Sequence, residues 1–223
     1  MDIPILYKDS AVAVCVKSPE CDSEREMPEK LKAQLGVPEV LCVHRLDRDV
    51  GGVMVYALDK EAAAALSRGI GSGDFQKEYL AVAHGEVEPE ADTLRDLLFH
   101  DRTKNKSYTV KRRRAGVKEA ELSYRVCAVA EGLSLLAVRL HTGRTHQIRV
   151  QFASRRHPLV GDAKYGSPMR QRGIALFSRA LGFQHPVTGE SMRFTAPVPG
   201  GYPWDLFDKN IIDSGGTVCD TSK

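Results

Sequence analysis

The sequence predicts an α+β fold with a mixed, largely antiparallel central sheet and flanking helices. Three observations predict this class. Short apolar runs of strand length outnumber the segments with helical periodicity, and several of these runs follow one another across tight turns, as in hairpins. In addition, the chain contains no glycine-rich phosphate loop of the kind that marks parallel nucleotide-binding folds.

The N-terminal part predicts strands that alternate with helices. The apolar run 11–16 predicts a buried strand. Residues 25–35 predict a helix, because Pro28 lies near the start of this segment and Gly36 follows its end. A second apolar run, 53–57, predicts the next strand.

A second helix and a third strand follow. Asp59 is suited to cap a helix that continues through Leu66 and closes in the region of Gly69 and Gly71. Residues 79–83 then have the composition of a strand.

The C-terminal half predicts a hairpin and a further helix. Apolar and polar residues alternate over 122–126, and the apolar run 133–140 follows a turn at residues 131–132. Beyond it, apolar residues four apart predict a helix capped by Thr142 or Thr145.

The last part of the chain predicts more strand and then a tail. Residues 183–196 have strand composition interrupted by turn residues. We expect one domain over residues 1–208 and a mobile tail over 209–223, which contains the string Ser-Gly-Gly at 214–216.

The composition argues against several classes of protein. No stretch approaches the roughly 18 apolar residues of a membrane-spanning helix, and the N-terminus has no secretory signal, so we expect a cytoplasmic protein without membrane association. The five cysteines contain no Cys-x-x-Cys pair, and the histidines lack ligand spacing, so neither a disulfide framework nor a metal site is expected. We expect a monomer.

The basic residues are concentrated in two runs. Residues 102–118 contain eight lysines and arginines and no acidic residue, and residues 139–179 contain nine with Asp162 as the one acidic residue. The net charge of the whole chain is only +3, so the remainder is acidic. This distribution indicates a surface that binds a polyanion, although one such run by itself is also typical of a solvated loop.

Three further segments contain residues suited to chemistry. They are HRLDRD at 44–49, KEYLA at 77–81 and TGRTHQIR at 142–149. Each has a plain structural interpretation, as an ion pair, a core tyrosine and hydrogen-bonded histidines. In the functional interpretation, neighbouring guanidinium groups favour an ionised Asp47 that can act as a nucleophile, Tyr79 stacks on a base, and Arg144 and Arg149 bind anions near a helix N-terminus.

Taken together and in this order, the three segments resemble the motifs of the RluA-type pseudouridine synthases. Those motifs read HRLD followed by R/M-x-TSG, KxYxA, and GRxHQ-I/L-RV followed by GHP and GDxxY. This chain has HRLD at 44–47, KEYLA at 77–81, GRTHQIRV at 143–150 and RHPLVGDAKY at 156–165. The resemblance extends from about residue 5 to residue 197.

The resemblance implies the isomerisation of a specific uridine in structured rRNA or tRNA to pseudouridine, with no cofactor and no metal. It implies that Asp47 is the nucleophile that lets the uracil detach, rotate and rejoin through carbon. Tyr79 would stack on the flipped uracil, and Arg149 would form an ion pair with Asp47. A catalytic domain without the N-terminal S4-like domain of many relatives is expected, because only 43 residues precede His44.

Further residues are expected to contact the RNA. Arg45 would enter the stack that the base has left, and Leu176 would line the uracil pocket. The remaining predicted substrate-binding residues are His44, Arg144, His146 and Gln147. The basic residues expected on the RNA backbone are Arg102, Lys104, Lys106, Lys111, Arg112, Arg113, Arg114, Arg155 and Arg156.

Two alternatives stay open, and a departure from the motifs supports the first of them. Residues 50–52 read Val-Gly-Gly where the family has Thr-Ser-Gly, so two hydroxyls are absent and a looser backbone is expected. The chain could therefore be a non-catalytic RNA-binding or ribosome-assembly factor with the same fold. It could also be a metal-dependent nuclease that uses Asp47 and Asp49.

Overall fold

The computed structural model describes residues 2–169, 171 and 173–214. In chain order the elements are β1 (Ile5–Lys8), β2 (Val12–Lys17), α1 (Glu26–Leu35), β3 (Leu41–Cys42), β4 (Gly51–Ala57), α2 (Lys60–Ser72), β5 (Gln76–His84), β6 (Ala91–Asp101), β7 (Lys106–Val110), β8 (Val117–Ala130), β9 (Leu133–Leu140), α3 (Gln147–Ala153), β10 (Leu176–Gln184), β11 (Ser191–Thr195) and α4 (Lys209–Ser214). Short 3₁₀ helices lie at Ala163–Tyr165 and Trp204–Leu206.

The chain forms two compact units. The first comprises Met1–Lys77 and Phe177–Pro197, and the second comprises Glu78–Leu176 and Val198–Lys223. Strands β5 and β10 each have residues in both units. One catalytic domain over residues 1–208 stays a prediction.

In the first unit the strands are ordered β1-β2-β4-β10, with β3 added to β4 and β11 added to β10. The pairs β1/β2, β2/β4, β3/β4 and β10/β11 are antiparallel. The pair β4/β10 is parallel. Every residue of β4 is buried, as is typical of a strand covered on both faces. This pairing confirms the predicted mixed, largely antiparallel sheet.

In the second unit the strands are ordered β5-β9-β8-β6-β7. The hairpin of β8 and β9 is confirmed, and its turn has Glu131 and Gly132 at φ of 51° and 71°. Helix α3 is buried along nearly its whole length, and its Phe152 ring meets Tyr124 of β8 edge-on at 5.3 Å.

The first two helices have the predicted starts, and one has a different end. Helix α1 ends at Gly36 (φ 64°) as predicted, and Asp59 caps α2 by accepting a hydrogen bond from the Ala62 N–H at 2.6 Å. However, α2 continues past Gly69 and Gly71 to Ser72 and ends at Gly73, which has a φ of 89°. A helical glycine costs only about 1 kcal/mol, so it lowers helix stability without forcing an end.

The C-terminal segment is described in part. Residues 209–214 form α4, and the rest of the predicted tail, 215–223, lies outside the described residues. Among the described helices, none has the length and apolar character that a membrane crossing requires.

Candidate active site

The turn between β3 and β4 presents Asp47, the predicted nucleophile, in a half-buried position. The Val50 N–H donates a hydrogen bond to the Asp47 carbonyl at 3.0 Å, which closes the turn. The Ser23 hydroxyl donates to the Leu46 carbonyl at 3.0 Å. The backbone is therefore fixed both before and after the predicted nucleophile.

Lys17 is a buried cation, with 1% of its surface exposed, that binds the same turn. Its ammonium donates to the carbonyl oxygens of Ser18 (3.0 Å), Cys21 (2.8 Å) and Arg48 (3.1 Å). Burial lowers the pKa of Lys17 to about 8, against the opposing effect of nearby groups that include Asp47. Lys17 thus joins the end of β2 to the residue that follows Asp47, a role that the sequence analysis missed.

The two arginines that flank Asp47 each bind a glutamate. The Arg45 guanidinium lies 3.3 Å from Glu24, and the Arg48 guanidinium lies 2.9 Å from Glu26 at the start of α1. Both pairs are exposed and stabilise the fold little. The positive charges beside Asp47 are therefore shared with carboxylates that the sequence analysis did not consider.

His44 is half-buried and has a structural contact. Its Nε2 accepts a hydrogen bond from the Val55 N–H at 3.2 Å, so the proton of the neutral ring is on Nδ1. Burial holds the pKa of His44 well below its usual value, and the nearby positive charge of Lys77 lowers it further. A neutral His44 fixes the start of the HRLD segment against β4, and its predicted RNA contact stays a prediction.

The Val-Gly-Gly segment is packed tightly. Val50 is buried, and a side chain on Gly51 would come within 3.1 Å of the Lys17 carbonyl and the Pro19 ring. Gly52 has a φ of 127°, and a side chain there would overlap the backbone of Ser178. Gly51 is paired with Phe177 of β10, and Gly52 is paired with both Ser178 of β10 and Lys17 of β2. The looser backbone expected from the two missing hydroxyls is therefore wrong for these two glycines, since strand pairing and close packing hold them.

In the second unit, Arg149 forms a buried ion pair with Asp162. Its Nε and Nη2 donate to the two carboxylate oxygens at 2.7 and 2.9 Å, and 4% and 1% of the two side chains are exposed. The Tyr165 ring centre lies 5.2 Å from the Arg149 guanidinium carbon. Sequence reasoning did not assign Asp162 a role, although the GDAKY string contains it.

His146 and Tyr165 form a second buried network beside this pair. The Ser107 N–H donates to the Tyr165 hydroxyl at 2.8 Å, and the same hydroxyl is hydrogen-bonded to His146 Nδ1 at 2.9 Å. The Ser107 hydroxyl donates to the Thr145 carbonyl at 2.6 Å. Burial raises the pKa of Tyr165 to about 12, so its hydroxyl keeps its proton at neutral pH.

The predicted threonine cap of α3 is wrong. The helix begins at Gln147, and His146 occupies the N-cap position with a φ of 56° and no side-chain cap. The Thr142 hydroxyl donates instead to Gln147 Oε1 at 2.8 Å, and the Gln147 amide donates to the Glu121 carbonyl at 3.0 Å. The buried Gln147 side chain makes three hydrogen bonds within the protein, and these hold the loop before α3. Its predicted RNA contact stays a prediction.

Two of the other predicted residues lie on strands of the second unit. Tyr79 is buried in β5, and Leu176 is buried at the first position of β10. Arg144 precedes α3 rather than lying in it, and its Nε donates to the Glu119 carbonyl at 2.8 Å. The pairing of Arg149 with Asp47, which lies in the first unit, stays a prediction.

The first basic run is almost wholly exposed, and the second is not. In the run 102–118, only Lys106 is half-buried among the lysines and arginines. In the run 139–179, Arg149 is buried, Arg155 binds Asp96 at 2.8 Å, and residues 170 and 172 lie outside the described residues. The exposed cations that could bind a polyanion are therefore more numerous in the first run than in the described part of the second. No set of three or more His, Cys, Asp and Glu side chains in the described ranges is arranged to hold a metal ion.

Comparisons with known proteins agree with these motifs. The family model described as RNA pseudouridylate synthase matches residues 3–154. The chain is 36% identical over 209 residues to an uncharacterized RNA pseudouridine synthase of Bacillus subtilis, YjbO, covering 88% of this chain and 73% of that protein. It is 34% identical to the ribosomal large subunit pseudouridine synthase D of Xylella fastidiosa, covering 89% of this chain and 67% of that protein.

A solved structure shares the fold. The structure of human RNA pseudouridylate synthase domain containing 1 superposes with a TM-score of 0.76 at 24% identity, covering 89% of this chain and 84% of that one. A shared fold alone would not produce the match to the family model or this sequence identity to relatives over most of both chains. The chain therefore belongs to the RNA pseudouridylate synthase family and has the RNA pseudouridine synthase activity of these isomerases.

Proposed function

We propose that Asp47 is the nucleophile of this pseudouridine synthase and that its substrate is a uridine in structured ribosomal RNA. The observation that carries the proposal is the braced turn around Asp47. Its backbone is held by Ser23, Lys17 and Val50, while the Asp47 side chain stays half-exposed. A carboxylate on a rigid turn is suited to attack at a fixed position.

The proposed reaction needs no cofactor. Asp47 attacks the nucleoside as the bond between the ribose and the uracil nitrogen breaks, and the detached uracil rotates within the site. A uracil carbon then bonds to the ribose as the Asp47 carboxylate leaves. That carbon loses its proton to solvent, and the freed ring nitrogen gains one. Substrate and product contain the same atoms, so nothing is consumed. The target uridine must first leave the RNA stack, at a cost of a few kcal/mol that contacts with the phosphates offset.

Arg149 and Tyr79 would serve this chemistry. The Arg149 guanidinium is fixed in one plane by Asp162, which uses two of its five N–H groups. We propose that the same guanidinium also faces the Asp47 carboxylate. Tyr79 would stack on the flipped uracil, with its hydroxyl near the carbon that loses a proton.

Three finer points remain part of the proposal. Ribosomal RNA is favoured over tRNA because the Xylella fastidiosa relative is named a ribosomal large subunit enzyme. Action as a monomer in the cytoplasm is our prediction from the sequence. Pseudouridine maps of total RNA from cells with and without the gene would identify the RNA and the position.

Tritium release from RNA transcripts that contain 5-tritiated uridine tests the nucleophile. We expect Asp47→Asn to abolish release, because the amide cannot act as an anionic nucleophile, and to leave the thermal unfolding temperature and RNA affinity nearly unchanged. Asp49→Asn is the matched control, since Asp49 is exposed and two residues away on the same turn. It should retain activity close to that of the parent.

Other outcomes would support the alternatives. Near-normal release by Asp47→Asn would contradict the proposed nucleophile. No release from any RNA by the parent, with RNA binding intact, would indicate the non-catalytic RNA-binding factor. Strand cleavage that a chelator abolishes would indicate the nuclease.

A further inference from the structure

Two aromatic residues lie side by side on strands β6 and β7, near the turn that joins these strands. Phe99 of β6 and Tyr108 of β7 are direct partners in the antiparallel register, so their side chains point to the same face of the sheet. Tyr108 is 37% exposed, so part of its ring is open to solvent.

Cations surround these rings. The Arg114 guanidinium carbon lies 4.8 Å from the Phe99 ring centre, and the Lys106 ammonium lies 5.8 Å from the Tyr108 ring centre. Lys106 also lies 5.2 Å from the ring of Tyr165, which belongs to the network around His146. The Lys106 ammonium therefore contacts the rings of both Tyr108 and Tyr165.

The opposite face of this part of the sheet packs against helix α3. Leu98 of β6 and Ala120 of β8 pack against Val150 of α3, with Tyr165 against this cluster. Because side chains alternate along a strand, Phe99 and Tyr108 point away from this core. Packing of the described core therefore does not explain an exposed tyrosine at position 108.

We infer that Tyr108 is a stacking platform for one unpaired base of the RNA substrate. This inference rests on the proposed function, because RNA is taken as the partner. Arg114 covers Phe99, so Tyr108 offers the more open ring. Lys106, Arg114 and their neighbours in the run 102–118 would hold the flanking phosphates.

The charge of the surroundings favours RNA as the occupant. The run 102–118 has eight cations and no carboxylate, so it complements a polyanion. A base can stack on tyrosine only where it is unpaired, so the platform selects loops, bulges or ends over regular duplex. Stacking is tolerant of base identity, and the platform would add affinity and shape preference without reading sequence.

Binding of a fluorescently labelled single-stranded RNA of about a dozen nucleotides tests the platform. Tyr108→Leu keeps an apolar side chain against Phe99 and removes the stacking ring, whereas Tyr108→Phe keeps the ring. We expect Tyr108→Leu to weaken binding by between about 5-fold and about 100-fold, and Tyr108→Phe to bind like the parent. Tyr202→Ala is the matched control, because Tyr202 is 48% exposed and lies outside the basic runs.

Two further measurements separate stacking from charge and from folding. The salt dependence of binding should be the same for Tyr108→Leu and the parent, since no phosphate contact is removed. On an abasic oligonucleotide with the same backbone, the difference between Tyr108→Leu and the parent should disappear. Equal thermal unfolding temperatures of these two proteins would show that Tyr108→Leu is folded.

The inference is overturned if Tyr108→Leu binds as tightly as the parent, or if its defect persists on the abasic oligonucleotide. These outcomes are distinct from failure of the proposed function. A chain that forms no pseudouridine but loses base-dependent affinity on Tyr108→Leu would contradict the function and support the platform. If the chain forms pseudouridine but Tyr108→Leu leaves RNA binding unchanged, the function is supported and the platform is contradicted.

Discussion

Two buried cations determine the geometry of the predicted catalytic groups. A buried charge is costly unless it is paired or hydrogen-bonded, and both cations here meet that condition. Lys17 is bound by three carbonyl oxygens, and Arg149 is bound by both oxygens of Asp162. Lys17 holds the backbone next to Asp47, and Asp162 holds the plane of the Arg149 guanidinium.

Lys17→Met should separate positioning of Asp47 from folding. We expect turnover to fall by about 10- to 100-fold, because the Arg48 carbonyl loses its donor and the Asp47 turn shifts. Stability should fall by about 1–3 kcal/mol as buried acceptors lose their donor. Lys32→Met, which replaces an exposed lysine of the same helix α1, is the control and should change neither quantity.

The pH dependence sharpens this test. The folded pKa of about 8 is below the unfolded value of 10.5, so between these pH values the unfolded chain holds a proton that the native chain has lost. The free energy of unfolding of the parent, relative to Lys17→Met, should therefore rise with pH across this window. Turnover of the parent should fall across the same window if the ammonium positions Asp47. Parallel changes in stability and turnover would contradict the positioning role.

Strand β4 follows the Asp47 turn directly, and its first residues depend on glycine. Gly52 pairs with Lys17 of β2 and with Ser178 of β10, so two strands approach its backbone closely. The positive φ of Gly52 and the proximity of Ser178 leave no room for a side chain. The tight packing of Gly52 therefore fixes the start of β4, which directly follows the turn that contains Asp47.

Gly52→Ala should destabilise the protein by about 3 kcal/mol or more, because the new methyl group overlaps the Ser178 backbone and the φ is unfavourable for alanine. Gly71→Ala is the matched control. No neighbouring atom lies within 4 Å of a side chain at Gly71, and the residue is helical, so we expect a gain of up to about 1 kcal/mol. Urea unfolding midpoints measure both changes, and an unchanged midpoint for Gly52→Ala would contradict the packing described here.

Across the molecule, charge is distributed unevenly over a nearly neutral chain. The run 102–118 lies on β7, on the start of β8 and on their connecting turns, and most of its cations are exposed. Exposed charges add little to folding stability but contribute strongly to phosphate binding. RNA affinity should therefore be separable from stability by surface substitution.

Replacement of Lys111, Arg112, Arg113 and Arg114 by glutamine should weaken RNA binding and flatten its salt dependence. The slope of log affinity against log salt should become shallower by up to about three, with little change in thermal stability. The control replaces four exposed cations of the helices α1 and α2, which are Lys30, Lys32, Lys60 and Arg68. An unaltered slope in the first variant, or an equal loss in the control, would show that the run is a solvated surface.

The sequence alone determined the fold class, the family and the identity of the predicted nucleophile. HRLD, KEYLA and GRTHQIRV are short local strings, so their order along the chain was readable without a structure. Strands such as β2 and β9 and the start of α2 followed from apolar runs and a cap. Strands β6 and β7 did not, because their partly exposed faces contain charged residues at irregular positions.

Only the tertiary structure decided what holds the predicted catalytic groups in place. Lys17 looked like the polar end of an apolar strand, yet pairing of β2 with β4 brings its ammonium to a carbonyl oxygen 31 residues away. Likewise, the sequence showed Asp162 only as part of a family motif, and the structure shows that its carboxylate binds Arg149. Contacts between residues distant in sequence depend on strand register and helix packing, and local periodicity contains no information about which distant groups will meet.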